Sequence, residues 1–129
     1  MARKPFVMLV DDDRAMAEMY GLGLDRDGFR VKLLHDADAL FEALQQATPD
    51  LLVLDWELPG RTGGEVIEEL RRNRRTADIP IFILSSHPGS AVEAGLVGAR
   101  AWLEKPRTMP GQLAEKLAAA LPDAREKAG

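Results

Sequence analysis

Two runs, Leu51-Leu52-Val53-Leu54 and Ile81-Phe82-Ile83-Leu84, contain no alternating polar positions, and this constrains the fold more than any other feature of the chain. A strand with one wet face alternates apolar and polar side chains, so an uninterrupted apolar run predicts a strand covered on both faces, as in a parallel sheet. Helices must supply the covers. Three more short runs, Phe6 to Val10, Arg30 to Leu34 and Ala99 to Leu103, join Leu51 to Leu54 and Ile79 to Leu84 as five predicted strands. The stretches Arg14 to Asp27, Ala37 to Ala47, Gly64 to Asn73, Ser90 to Leu96 and Gln112 to Leu121 are the predicted helices. Strand and helix thus alternate five times.

Local signals refine this pattern. Asp36 is an expected N-cap for the second helix, whose Leu40, Phe41 and Leu44 share one face. Val66, Ile67 and Leu70 give the third helix an apolar stripe, and Arg71-Arg72-Asn73-Arg74-Arg75 follows it. Cations at a helix C-terminus complement its dipole, so this run reads first as a solvated helix end, with a functional basic patch as the alternative. Gly21 and Gly23 lie inside the first helix and each costs about 1 kcal/mol relative to Ala. Pro49 and Pro80 punctuate the starts of the third and fourth strands.

Size and composition bound what such a unit does. A chain of 129 residues can bury roughly two-thirds of its unfolded surface around one core. Seventeen Lys and Arg against 21 Asp and Glu leave a net charge of −4, which argues against a broad footprint for nucleic acid. The absence of cysteine removes disulfides, thiol nucleophiles and cysteine metal sites, and is compatible with a reducing compartment. The apolar run after Met1-Ala2-Arg3-Lys4-Pro5 is five residues long before Asp11, too short for an export signal. No run approaches the roughly 20 residues that span a bilayer. A cytoplasmic protein without membrane contact is therefore expected.

In an open parallel sheet the carboxyl ends of the strands converge on one crevice. Here those ends carry Asp11, Asp12 and Asp13, then Asp55, then Ser85 and Ser86, then Lys105 and Pro106. Clustered carboxylates raise one another's pKa and call for neutralisation. A hard divalent cation with oxygen ligands supplies it, Mg²⁺ being suited to carboxylates, waters and a phosphate oxygen. Lys105 adds a positive charge and Ser85 a rotatable hydroxyl. Together these residues fit a site that holds a phosphoryl group near an aspartate, itself a competent covalent acceptor.

These residues, Val10-Asp11-Asp12-Asp13, Leu54-Asp55-Trp56-Glu57-Leu58-Pro59 with Gly63, Ile83-Leu84-Ser85-Ser86 and Lys105-Pro106, resemble the receiver domain of two-component response regulators. The resemblance runs from about Phe6 to Leu121, so residues 1–121 are expected to form the receiver and 122–129 a short polar tail. It implies a flavodoxin-like doubly wound (βα)5 sandwich, strand order 2-1-3-4-5, as in the chemotaxis regulator. It also implies that Asp55 is the phosphoacceptor, that Asp11, Asp12, Asp55 and the Trp56 carbonyl hold Mg²⁺ (with Mn²⁺ as a substitute), and that Asp13 merely flanks them. Lys105 would contact the phosphoryl oxygens, and its bond to Pro106 would be cis. Ser85 would be the switch hydroxyl and Trp102 the switch aromatic. Glu57 and His87 stand where the family tunes phosphoryl lifetime, and His87 can titrate near neutral pH.

The implied partners are a sensor histidine kinase or histidine phosphotransfer protein and a downstream protein target, with no direct nucleic-acid contact. The implied state is a monomer or a phosphorylation-linked dimer that catalyses its own phosphorylation and dephosphorylation without being a conventional enzyme. Lys105 follows Ser85 by only 20 residues, and Pro88, Gly89, Gly95 and Gly98 fall between them, so the fourth helix should be short or distorted. Two other readings remain. A haloacid-dehalogenase-like phosphatase would use Asp11 in Asp11-Asp12-Asp13, although Ala15 and the lack of an acidic pair after Lys105 fit that motif poorly. A receiver-like scaffold would never be phosphorylated.

Overall fold

A computed structural model describes residues 3–121 of the protein, the placement of Pro106 excepted. Five strands form one parallel sheet: β1 (Phe6–Val10), β2 (Arg30–Leu34), β3 (Leu51–Asp55), β6 (Ile81–Ser85) and β7 (Ala101–Glu104). Their order is β2-β1-β3-β6-β7. This is the expected 2-1-3-4-5 arrangement once the small hairpin β4 (Glu57–Leu58) and β5 (Arg61–Thr62) is counted. The helices are α1 (Arg14–Arg26), α2 (Ala37–Gln46), α3 (Gly63–Arg72), α4 (Ala91–Leu96) and α5 (Pro110–Ala120). The expected tail, Pro122 to Gly129, lies outside the described residues.

The runs without polar alternation are buried along their whole length, as are Phe6 to Val10. Val7, Leu9, Leu51, Val53, Phe82 and Leu84 meet α1 and α5 on one face. Met8, Val10, Leu52, Leu54, Ile81 and Ile83 meet α2 and α3 on the other. Among the described residues no helix is long and apolar enough to cross a membrane.

Several element ends differ from expectation for local reasons. The Ile79 N–H is taken by Thr76 O in a turn and Pro80 has no N–H, so β6 begins at Ile81. The Ala99 N–H bonds back to Ala94 O, so β7 starts two residues late. Helix α5 starts at Pro110 because its first position needs no N–H, and the Gln112 side chain accepts the Met109 N–H at 2.8 Å. Asp36 caps α2 through the Ala39 N–H as anticipated. Helix α4 is six residues long, matching the expected shortening.

The arginine run is not simply a solvated helix end. Arg71 Nη1 donates to Ala77 O at 2.7 Å and Ile79 O at 2.9 Å, and Nη2 donates to Gly98 O at 2.7 Å. Arg75 donates to Leu44 O at the end of α2, while exposed Arg72 pairs with Glu68. Arg71 is therefore a strut that ties α3 to the loop after α4. Gly23 also gains a reason, since a Cβ there would lie 2.2 Å from Pro110 Cβ. Glycine lets α5 close onto α1.

Candidate functional site

The β1, β3 and β7 ends assemble an acidic pocket around one ammonium. Asp11 continues the line of β1, where its N–H donates to Leu34 O at 3.0 Å. Asp55 is the last residue of β3, and Lys105 opens a 3-10 turn (Lys105–Arg107) directly after β7. Lys105 Nζ lies 3.0 Å from Asp11 Oδ2 and 3.3 Å from Asp55 Oδ2, with all three side chains buried. Carboxylate oxygens of Asp11, Asp12 and Asp55 lie within 4.8 Å of one another, Asp12 being the exposed member. Asp13 caps α1 by accepting the Met16 N–H, in keeping with a flanking role.

The electrostatics follow from this crowding. Burial raises the Asp55 pKa to about 6; the Glu57 N–H and the charge of Lys105 oppose that rise, and Asp11 reinforces it. For Lys105, burial acts to lower the pKa, but Asp11 and Asp55 outweigh it and the net direction is upward. Asp11 Oδ1 accepts the Asp13 N–H at 3.0 Å, whereas buried Oδ2 has the Lys105 ammonium 3.0 Å away and no well-aligned hydrogen bond. A donor set of clustered oxygens, one of them lacking a well-aligned hydrogen bond, has the chemistry a hard cation needs.

The remaining anticipated residues form the rim. Ser85 is fully buried at the end of β6, with its Oγ accepting the His87 N–H at 3.1 Å. His87 pairs through Nε2 with Glu57, joining two exposed side chains from different loops. Its carbonyl accepts the Trp102 indole N–H at 2.9 Å. Trp102 packs at 4.9 Å from Trp56, and a Cβ at Gly89 would sit 2.3 Å from its ring, so that glycine lets the loop cross the indole. Asp11, Asp12, Asp55 and Lys105 are thus brought together, while Ser85, Glu57 and Trp102 converge on His87. The Trp56 carbonyl accepts the Gly63 N–H at 2.7 Å, which leaves it one lone pair.

The expected cis bond from Lys105 falls on Pro106, which lies outside the described residues. The turn is held at its first carbonyl: Lys105 O accepts from the Thr108 N–H at 3.3 Å and from the Tyr20 hydroxyl at 3.1 Å.

Two supporting residues escaped the sequence reading. His35, at the end of β2, places Nδ1 3.0 Å from Asp11 O, and because a carbonyl only accepts, Nδ1 carries the hydrogen. The same convergence of strand ends that located Asp55 would have found it. Tyr20 is the only tyrosine and is buried, a placement that calls for a partner to its hydroxyl.

Comparison with known proteins agrees with this geometry. The family described as response regulator receiver domain matches residues 7–118. The phosphate regulon transcriptional regulatory protein PhoB of Pseudomonas aeruginosa is 31% identical over 117 residues, covering 89% of this chain and 51% of PhoB. The transcriptional regulatory protein FixJ of Bradyrhizobium diazoefficiens is 35% identical over 108 residues, covering 82% of this chain and 52% of FixJ. The chain thus spans about half the length of these curated relatives. Among solved structures, the chemotaxis response regulator CheY4 of Vibrio cholerae superposes with a TM-score of 0.84 at 27% identity, covering 92% of this chain and 100% of that one.

Proposed function

This chain belongs to the response regulator receiver domain family, and from that premise we propose that it takes a phosphoryl group from a phosphohistidine onto Asp55. The supporting observation is the Lys105 ammonium bridging Asp11 and Asp55, with Asp12 alongside. An Asp55 carboxylate oxygen forms the bond to phosphorus as the donor's P–N bond breaks, and the histidine nitrogen keeps the bonding pair. Water later attacks the same phosphorus, releases phosphate and restores the carboxylate. Positioning and charge neutralisation provide most of the catalysis in such transfers. Lys105 would leave its carboxylate partners to meet the phosphoryl oxygens, and Ser85 would turn its hydroxyl from the His87 N–H toward the same group.

Mg²⁺, or Mn²⁺ in its place, fits the oxygens of Asp11, Asp12, Asp55 and the Trp56 carbonyl, and when bound it would neutralise charge on the transferring group. Glu57 and His87 flank the approach for water and donor and would tune the lifetime. The donor is a sensor histidine kinase or histidine phosphotransfer protein, and the setting is cytoplasmic. Trp102 would report the switched state to the surface around α4, where Val92 and Leu96 are 72% and 81% exposed and would face a downstream protein or a second copy. Family membership sets the phosphatase reading aside. The domain is not a conventional enzyme, because its own aspartate is the acceptor.

Incubation with Mg²⁺ and acetyl phosphate, followed by intact-mass measurement, tests the proposal. The expected result is a labile gain of one phosphoryl group that is lost in Asp55→Ala. Labelling that survives Asp55→Ala but vanishes in Asp11→Ala would overturn it. Failure of the wild type to label or to bind beryllofluoride would leave a scaffold.

A further inference from the structure

Tyr20 lies on the face of α1 that packs against α5, and its side chain is fully buried. Its hydroxyl is 2.6 Å from Thr108 O and 3.1 Å from Lys105 O. One O–H carries one hydrogen, so this is a shared donation to the two ends of the turn that launches Lys105. Phenylalanine would fill nearly the same space, so the hydroxyl is the informative atom. Burial raises the Tyr20 pKa; the charge of Lys105 opposes this and that of Asp11 adds to it, and the phenol remains a donor at neutral pH. The other end of α1 is fixed beside the acidic pair, where Asp13 both caps the helix and donates its N–H to Asp11 Oδ1. A single helix therefore holds the acids at its start and the lysine turn along its length.

We propose that Tyr20 is a positioning residue: its hydroxyl fixes the Lys105 turn against α1 and thereby holds the Lys105 ammonium between Asp11 and Asp55. Its consequence for phosphoryl binding rests on the phosphoacceptor reading above; its consequence for the ammonium does not. The decisive variant is Tyr20→Phe, which removes one oxygen and keeps the ring. In metal-free protein, the Lys105 ammonium protons, followed by ¹⁵N NMR, should exchange with water about tenfold faster, the scale of one lost hydrogen bond. At saturating Mg²⁺ the affinity for beryllofluoride should fall about tenfold, while the affinity for Mg²⁺ itself changes by no more than about twofold. In a Lys105→Ala background the same substitution should leave beryllofluoride affinity unchanged.

The proposal is overturned if the ammonium exchanges at the wild-type rate, or if the beryllofluoride loss persists without Lys105. A parallel fall in both affinities also overturns it, because that marks general loosening of the pocket. If wild-type protein binds no beryllofluoride, the phosphoacceptor reading fails, and ammonium exchange alone decides the role of Tyr20.

Discussion

At the level of single residues, Asp55 sets the pH response. Its carboxyl titrates at about 6 in the folded protein, above the ordinary value of 3.8. The folded state therefore binds the proton more tightly than the unfolded chain, so this contribution to stability is complete below pH ~4 and is lost as pH rises through about 6. In metal-free buffer, Asp55→Asn should remove that loss and leave the protein more stable than wild type at pH 7.5, by on the order of 2 kcal/mol. Urea denaturation across pH 4 to 8 with a chelator present checks it; an equal decline in both proteins would contradict the assignment. Asp11, Asp12, Asp55 and Lys105 were legible because chemistry and strand-end position coincided in them. Tyr20 was not, because its partners are backbone carbonyls more than 80 residues away, which no side-chain pattern encodes.

Among the elements, the strut from α3 was the least legible. A run of arginines after a helix has an electrostatic explanation from sequence alone, and the carbonyls of Ala77, Ile79 and Gly98 come within reach only once the sheet brings α3 and the α4–β7 loop together. Arg71→Ala leaves these acceptors without their charged donor and should destabilise the protein by about 2–3 kcal/mol, read as a lowered urea midpoint. Arg71→Lys should recover only part of this, since one ammonium cannot reproduce the planar fork. A midpoint unchanged in Arg71→Ala would show the strut to be idle. The hairpin β4–β5 was missed for a different reason: strands of two residues carry no periodicity, and only Pro59-Gly60, with Gly60 at φ +76°, marks the turn. Strand starts moved where a turn or the end of α4 claimed the first N–H and where proline lacks one, local effects that hydrophobicity does not register.

For the whole molecule, the layered architecture was the most legible level. Strands apolar throughout demand cover on both faces, and the intervening helices are the only segments available to give it. Strand order came instead from the resemblance, because periodicity says nothing about which strand lies beside which. The three central strands β1, β3 and β6 are buried throughout, whereas α4 has only Ala94 buried. Amide exchange should follow this division: β1, β3 and β6 exchange only through global unfolding, while α4 exchanges at least about a hundredfold faster. Uniform protection measured by NMR would refute it. The long span between the acids and their lysine has a consequence for biosynthesis. Asp11 and Asp55 leave the ribosome well before Lys105, which pairs with Asp55 across 50 positions, and Tyr20 waits 88 positions for Thr108. Throughout elongation the emerging strands carry acidic ends with no internal counterion, and the pocket closes only when the final strand and helix dock. Completion of the charge balance is therefore a late event in chain order, so a truncated chain lacking the final strand and helix would retain the acids without the ammonium that balances them.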